Sequence, residues 1–569
     1  MRRLMLALPP QVIAALALVA RLLPTPRTID DAFITFRYAR NLLAGAGFVF
    51  NPGEQVLGTT TPLYTLLMAA LASLTRSDDY PRLALIANAL ADALTCLLLI
   101  RLGQRLSGQR AVGLGVSLLW AVAPMSVTFA IGGMETSVFI LLLVLSADLY
   151  LAGRARWAAL SAALLLLTRP DGALLVGPLI LDLLWRRAWR GRGRQAAFRP
   201  STVAQGRYAS LKAWPWAEAA IFLAALAPWA IFAAFYFGSP IPHSIAAKTL
   251  AYRLQPGGAL LRLLQNYASP FFEHLVFPNS YLLIGLLIVY VSLSVIGGLH
   301  AVFDRDSRAW PVTVYPWLYL AVFAAANPLI FRWYLAPPLP FYFLLILTGF
   351  AKLSGDVFDA LRKKHEASNA LPARVSVSST FFPSPFDCRS GSLRAGPLPA
   401  SFVLLPVSFF LLLSFNAWTL HPDHGPGYPA PEMAWHKLEL LYTQAGQALA
   451  PRITPQTLLA AGDVGALGYY SNARILDTVG LMSPEASAYY PLDPALYALD
   501  VYAVPPKLIR DYKPDYVALL EIYGRNGLFI DPEFLAEYEL SQKIPTDIYG
   551  SDGMLIWMLR DRASRPAGH

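Results

Sequence analysis

The chain has 569 residues, of which 56% are hydrophobic and only 14% are charged. A soluble protein surface of this size would need about a quarter of its residues to be charged, so much of the chain is expected to face lipid. Two cysteines and 12% aromatic residues exclude a disulfide scaffold, a collagen and a disordered chain. Residues 1–417 carry 35 basic and 18 acidic side chains, whereas residues 418–569 carry 11 and 18. The composition therefore predicts a polytopic membrane protein with an acidic tail.

Apolar segments long enough to cross about 30 Å of hydrocarbon follow one another along residues 1–417. We predict eleven spans, at 4–23, 83–100, 111–131, 137–150, 157–168, 173–185, 216–237, 281–299, 312–329, 334–350 and 402–415. The first is expected to be an uncleaved anchor whose N-terminus lies in the cytoplasm. The most basic loops then fall on the cytoplasmic side, as the positive-inside rule requires. This agreement holds only if the segment 61–74 lies in the outer interface and does not cross.

This topology divides the chain into a transmembrane catalytic module, residues 1–417, and an extracytoplasmic domain, residues 418–569. The module includes a first outer loop at 24–82. Strand-like runs at 457–461, 516–520 and 554–559 alternate with helical stretches, which predicts a small α/β domain in the tail.

Two further segments carry specific predictions. The glycine-rich segment 462–468 lacks the spacing and the trailing Lys-Ser/Thr of a phosphate loop, so we interpret it as a tight strand-to-helix turn. The loop 365–398, rich in Ser, Pro and Gly, is expected to be flexible.

Asp92 lies inside a predicted span, where a carboxylate is costly unless it is paired. It suits either a cavity lining or polar packing between helices.

Two adjacent carboxylates, Asp30 and Asp31, precede an amphipathic helix in the first outer loop. Because acidic side chains are stabilised near a helix N-terminus, the pair suits a helix end with a charged rim. Ionised carboxylates at headgroup depth also accept a proton from a hydroxyl or bind a divalent cation. Arg37 and Arg40 follow on the same helix and could pair with the acids or with a lipid phosphate. Both interpretations of the motif stay open at this point.

Further charged residues fall on the same predicted side of the membrane. Glu135 lies in the second outer loop and Arg169 lies in a short hairpin. His243 and Lys248 follow the span at 216–237. Each cation also has a structural interpretation, because Arg169 could end a helix and snorkel, Lys248 could be a solvated loop residue and His243 could pack in a turn. The gathering of acids and bases at one face favours an enzyme that acts on a lipid phosphate.

The string DDAFITFRYARNLLAGAGFVFNPGEQVLGTTTPL, which begins at Asp30, resembles the first outer loop of the GT-C integral-membrane glycosyltransferases. It is similar to the terminal arabinofuranosyltransferases of actinobacterial cell walls. The strings GGMETSVF, LTRPDG and GDVGALGYYSNARILDTVGL resemble segments of the same group. The resemblance implies a mainly α, GT-C fold in the bacterial plasma membrane. It also implies transfer of a sugar from a polyprenyl-phosphate donor to a hydroxyl of a glycan, lipid or protein acceptor.

The resemblance makes Asp30 the expected catalytic base, with Asp31 positioning it and Glu135 as a further acid of the same cavity. The residues expected to bind substrate are Arg37, Arg40, Arg169, His243 and Lys248. A divalent cation held by Asp31 and Glu135 is compatible with this set, although no spacing in the sequence is diagnostic of a metal. Membrane lipids are expected partners and nucleic acid is not, because topology explains the basic loop at 186–212.

Two other classes of function stay open. A transporter or flippase of lipid-linked sugars would place ionisable residues near the midplane and would repeat its halves. Here the acids gather at one face and no internal repeat is visible. A non-catalytic relative would only bind glycan or lipid, and the acidic pair argues against it.

Overall fold

The structure, a computed structural model, describes residues 9–196, 214–270, 280–369, 407, 434–499 and 501–560. The helices before residue 370 are α1 (Pro10–Leu22), α2 (Asp30–Leu43), α3 (Pro62–Thr75), α4 (Tyr80–Ser107), α5 (Arg110–Val122), α6 (Pro124–Ile131), α7 (Thr136–Leu151), α8 (Ala155–Thr168), α9 (Ala173–Ala196), α10 (Trp216–Phe237), α11 (His243–Ala251), α12 (Gly258–Ala268), α13 (Ser280–Leu299), α14 (Trp310–Ala326) and α15 (Leu339–Asn369). The loop predicted to be flexible, 365–398, begins inside α15, which continues to Asn369. The rest of that loop and the predicted span at 402–415, residue 407 apart, lie outside the described residues.

The body of the described chain is mainly helical and suited to a membrane. Five of its helices are long and apolar enough to cross a bilayer, and the pair α5 and α6, bent by 48°, would make a sixth. The bend follows from Pro124, because a proline disfavours helical geometry in the residue before it. Shorter apolar helices, α1, α7 and α8, occupy three further predicted spans. The membrane-spanning class is confirmed, but the count of eleven spans is not.

A buried ion pair joins four helices of this body. The Asp92 carboxylate of α4 accepts hydrogen bonds from Arg21 Nε at 2.6 Å, Trp120 Nε1 at 3.0 Å and Ser137 Oγ at 2.9 Å. The Arg21 guanidinium also donates to the backbone oxygens of Trp120 and Ala121 in the last turn of α5. Both charged side chains are fully buried. Of the two interpretations of Asp92, the structure therefore supports polar packing between helices.

The C-terminal domain is built on a mixed five-stranded sheet. Its strands are β1 (Leu458–Ala461), β2 (Arg474–Asp477), β3 (Tyr516–Leu520), β4 (Tyr538–Ile544) and β5 (Met554–Leu559), in the order β2-β1-β3-β5-β4. β1 is parallel to both β2 and β3, whereas β5 is antiparallel to β3 and β4. The helices α16 (Ala434–Leu449), α17 (Gly465–Ser471), α18 (Pro506–Tyr512) and α19 (Pro532–Glu537) accompany the sheet.

The predicted α/β class of this domain is confirmed. β1, β3 and β5 fall on the three predicted strand-like runs, and the segment 462–468 is the predicted strand-to-helix turn between β1 and α17. β2 and β4 escaped prediction, since β2 has only four residues and β4 is a largely polar edge strand.

Replacing Asp92 by Ala is expected to destabilise the protein by about 3–5 kcal/mol, because it leaves the Arg21 guanidinium buried without its counter-charge. Thermal unfolding in detergent measures the effect. The double variant Arg21→Met/Asp92→Leu removes both charges and should recover most of the lost stability. An Asp92→Ala protein as stable as the wild type would show that the pair does not hold the helices together.

Candidate active site

A cavity of about 340 Å³ lies where several predicted outer segments meet. Its charged lining residues are Asp31, Glu135, Arg169, Asp171 and Lys248. Its apolar lining from the end of α14 and the following segment comprises Phe323, Ala326, Pro328, Leu329 and Phe331. Residues far apart in the sequence therefore line one cavity, which combines charged groups with an apolar wall.

Arg169 is held rigidly by two carboxylates. Its guanidinium binds Asp171 through Nε and Nη2 at 3.0 and 2.9 Å, and its Nη1 lies 3.4 Å from Glu135 Oε1. The rings of Phe139 and Tyr334 lie 5.0 and 5.1 Å from its charged carbon. Burial acts to lower the pKa of Arg169, but the carboxylates of Asp171 and Glu135 raise it above the ordinary value. The guanidinium therefore stays charged, with its charge largely balanced.

Glu135 precedes the first turn of α7 and is buried. Burial raises the pKa of its carboxyl, and the Arg169 cation opposes that rise. Arg169 thus favours the ionised form of Glu135 against the effect of burial.

Lys248 extends from α11 into the cavity, where its Nζ lies 5.2 Å from the centre of the Phe331 ring. In the part of the chain that the structure describes, no carboxylate forms an ion pair with it. Burial acts to lower the pKa of this ammonium group, but Tyr334, Asp31 and Glu135 raise it above its usual value. A charged, partly buried lysine that lines a cavity and has no ion-pair partner among the described residues is suited to an anionic ligand.

Asp30, the predicted base, does not line the cavity. Its carboxylate accepts hydrogen bonds from the backbone N–H groups of Gly465 and Ala466 at 3.0 and 2.7 Å, at the start of α17. Only glycine fits at 465, because a Cβ there would lie 1.8 Å from the Asp30 carbonyl oxygen. Burial, followed by the charge of Asp463, raises the pKa of Asp30 well above its ordinary value. Asp30 therefore attaches the C-terminal domain to the first outer loop.

Arg37 binds the other end of the same short helix. Its Nε donates to the Phe50 carbonyl at 2.8 Å, its Nη1 to that of Gly468 at 2.7 Å and its Nη2 to that of Ala473 at 2.6 Å. α2 thus presents the Asp30 carboxylate to the N-terminal amides of α17 and the Arg37 cation to carbonyls near the C-terminal end of α17. This is the charge order that a helix dipole favours. Arg37 is only 2% exposed, and its donors are taken up by these carbonyls and by the Asn51 side-chain oxygen at 3.3 Å.

Arg40 and His243 also contact the C-terminal domain and lie outside the cavity lining. Arg40 donates to the Tyr469 carbonyl at 3.0 Å and lies 4.2 Å from the centre of the ring of that tyrosine. The backbone N–H of His243 donates to the Leu57 carbonyl, and its Nε2 lies 3.4 Å from Ser487 Oγ.

The candidate set therefore divides in two. The cavity brings together Asp31, Glu135, Arg169 and Lys248. The residues engaged at the domain interface are Asp30, Arg37, Arg40 and His243.

Sequence reasoning missed several groups of the cavity. Asp171, which holds Arg169, was visible in the string LTRPDG, where it lies two residues beyond the arginine. Tyr334 and Met482 also line the cavity, and no local pattern marks either one. Among the described residues, no group of three or more His, Cys, Asp or Glu side chains is arranged to hold a metal ion. The divalent cation at Asp31 and Glu135 stays a prediction.

The chain shares sequence with a curated glycosyltransferase over part of its length. The terminal beta-(1->2)-arabinofuranosyltransferase of Mycobacterium tuberculosis is 32% identical over 189 residues, which cover 29% of this chain and 29% of that protein. The matched region thus spans less than a third of the relative. A protein-family profile described as a domain of unknown function, DUF8728, matches residues 431–558.

The fold of the whole chain has a solved counterpart. The crystal structure of ArnT from Cupriavidus metallidurans bound to undecaprenyl phosphate aligns with 98% of this chain and 98% of its own, with a TM-score of 0.51 and 13% identity. At this identity the similarity establishes the fold alone. The resemblance to GT-C enzymes is confirmed at that level, and the shared segment links the chain to the arabinofuranosyltransferases.

Replacing Arg37 by Ala is expected to destabilise the attachment of the C-terminal domain by at least about 3 kcal/mol, because it leaves three backbone carbonyls without their charged donor. The midpoint of thermal unfolding and the rate of proteolysis between the domains measure the loss. Arg452→Ala, which removes an exposed arginine of the same domain, is the matched control. A stable Arg37→Ala protein that had lost donor binding would instead support the predicted substrate contact.

Proposed function

We propose that the chain is a membrane glycosyltransferase that moves a sugar from a polyprenyl-phosphate donor to a hydroxyl acceptor at the outer face of the plasma membrane. The GT-C fold and the segment shared with an arabinofuranosyltransferase support the class of enzyme. The observation that carries the proposal is the cavity itself, in which Lys248 and a charged cluster face an apolar wall.

The cavity combines an apolar wall with a cation, which are the two features that a lipid phosphate requires. The wall formed by Leu329 and Phe331 suits the start of a polyprenyl chain, since both are apolar residues in the segment that follows a membrane-suited helix. Lys248 suits the phosphate, because a cation in a site of low dielectric interacts strongly with an anion. The undecaprenyl phosphate in the ArnT crystal structure supports this class of donor.

Arg169 has a different role in this proposal. Because Asp171 and Glu135 already neutralise its charge, it contributes less to phosphate binding than Lys248 does. Its guanidinium, held near the rings of Phe139 and Tyr334, helps to shape the cavity.

Asp31 is the proposed catalytic base. It begins α2 beside Asp30, but its half-buried carboxylate lines the cavity. An acceptor oxygen would form a bond to the anomeric carbon while the bond from that carbon to the phosphate oxygen breaks. The electron pair leaves with the polyprenyl phosphate, the hydroxyl proton passes to Asp31, and Lys248 stabilises the departing charge.

The activity for which the mycobacterial relative is named supports arabinofuranose as the first sugar to test. Purified protein in lipid nanodiscs would be supplied with radiolabelled polyprenyl-phosphate arabinofuranose and an arabinofuranosyl oligosaccharide. Transfer of label to the oligosaccharide supports the proposal. If label is neither transferred nor released as free sugar from any polyprenyl-phosphate pentose or hexose offered, the proposal is wrong.

Asp31→Asn is expected to lower kcat by about 10²–10⁴, the usual contribution of a general base, with little change in thermal stability. Asp30→Asn is the matched comparison, because it changes the neighbouring carboxylate in the same way. It should mainly lower the unfolding temperature. The reverse pattern, with activity lost in a stable Asp30→Asn protein and kept in Asp31→Asn, would return the role of base to Asp30.

Lys248→Met keeps the length of the side chain but removes its charge. It is expected to lower kcat/KM for the donor by about 10- to 100-fold, since a hydrogen bond to a charged group contributes about 1.5–3 kcal/mol. Lys352→Met is the matched control, because Lys352 pairs with Asp356 away from the cavity. Unchanged donor kinetics in Lys248→Met would exclude it from the phosphate site.

A further inference from the structure

A carboxylate of the C-terminal domain, beside the helix α17 that binds Asp30, has one oxygen free of hydrogen bonds within the described residues. Asp463 follows the end of β1, and its Oδ2 accepts hydrogen bonds from the hydroxyls of Tyr442 at 2.5 Å and Tyr523 at 3.3 Å. Within the described residues, no hydrogen bond reaches Oδ1. The side chain is therefore fixed in position while half of its accepting capacity is unused.

The docking of the domain sets this carboxylate beside the proposed base. Asp463 lies two residues before Gly465, whose backbone N–H binds Asp30, and Asp31 is the next residue along α2. Asp31 and Asp463 are close enough to interact electrostatically. Burial raises the pKa of Asp463 to about 6, the Tyr442 hydrogen bond opposes that rise, and the charge of Asp31 adds to it.

Aromatic residues connect the cavity with Asp463. Phe331 of the cavity wall lies 6.1 Å from Tyr252, between ring centres, and Tyr252 lies 6.2 Å from Tyr502. Tyr502 in turn lies 5.1 Å from Tyr523, which binds Asp463. Tyrosine combines an apolar ring face with a polar hydroxyl. In this cluster both parts are engaged, because Tyr502 and Tyr523 are buried and their hydroxyls bind Thr478 and Asp463. The cluster therefore fixes the Asp463 carboxylate relative to the cavity wall.

We propose that Asp463 accepts a hydrogen bond from a hydroxyl of a carbohydrate acceptor, so that the C-terminal domain supplies the acceptor subsite of the enzyme. This inference rests on the proposed function and narrows its acceptor to a glycan. Asp463 positions the acceptor sugar so that a second hydroxyl of that sugar reaches Asp31. The donor contacts at Lys248 and Arg169 involve neither Asp463 nor its tyrosines.

The test separates use of the acceptor from use of the donor. Wild type, Asp463→Asn and the exposed control Asp552→Asn would be assayed in nanodiscs with radiolabelled polyprenyl-phosphate arabinofuranose. Transfer to an octyl arabinofuranosyl disaccharide and release of sugar to water without acceptor would be measured separately. Asp463→Asn should raise the acceptor KM by at least 10-fold, while donor KM, release to water and unfolding temperature stay within the range of the control.

An unchanged acceptor KM in folded Asp463→Asn overturns the inference, and so does an equal loss of transfer and of release to water. If Asp463→Asn does not fold, Asp463→Glu retains the charge but moves the carboxylate by one methylene. It should then raise the acceptor KM alone, and an unchanged value overturns the inference. Failure of the proposed function is distinct, because the wild type would then neither transfer nor release the sugar.

Discussion

The site depends on the contact between α2, in the predicted first outer loop, and α17, a short helix of the C-terminal domain. α2 contributes Asp30 to the amides at the start of α17 and Arg37 to the carbonyls at its end. The two side chains are seven residues apart, which is about 10.5 Å along a helix, and α17 has seven residues. The spacing of the charges therefore matches the length of the helix that they bind. Because the groups are buried, neither charge has water as an alternative partner.

This attachment explains why adjacent aspartates differ. Successive residues of an α-helix point about 100° apart, so Asp30 and Asp31 cannot face the same partner. One side chain meets the amides of α17, and the other lines the cavity. The same contact brings the turn after β1, with Asp463, close to Asp30 and Asp31. The Asp30-Asp31 pair, which forms one motif in the sequence, thus has two roles. Asp30 contributes to the assembly of the domains and, in our proposal, Asp31 contributes to proton transfer.

Charge inside the protein is handled in two ways. Arg21 and Asp92 satisfy each other and the last turn of α5, which makes them a structural connection with no capacity left for a ligand. Arg169 is balanced by Asp171 and Glu135 in a similar manner. Lys248 differs, because it keeps its charge beside an apolar wall and has no ion-pair partner among the described residues. The contrast between paired and unpaired cations therefore supports Lys248 as the proposed phosphate site more specifically than the number of basic residues does.

The sequence by itself determined the membrane class, the α/β tail with three of its strands and four charged residues of the cavity. These follow from local signals, namely apolar runs, strand-like runs and charged residues in loops that are predicted to lie on the same side of the membrane. Which member of the Asp30-Asp31 pair faces the cavity could not be read in this way, and neither could the structural roles of Arg37 and Arg40. Their partners lie more than 400 residues away in the chain. Only the tertiary structure decided those roles, because burial and hydrogen bonding between distant segments determine whether a charge is available to a ligand.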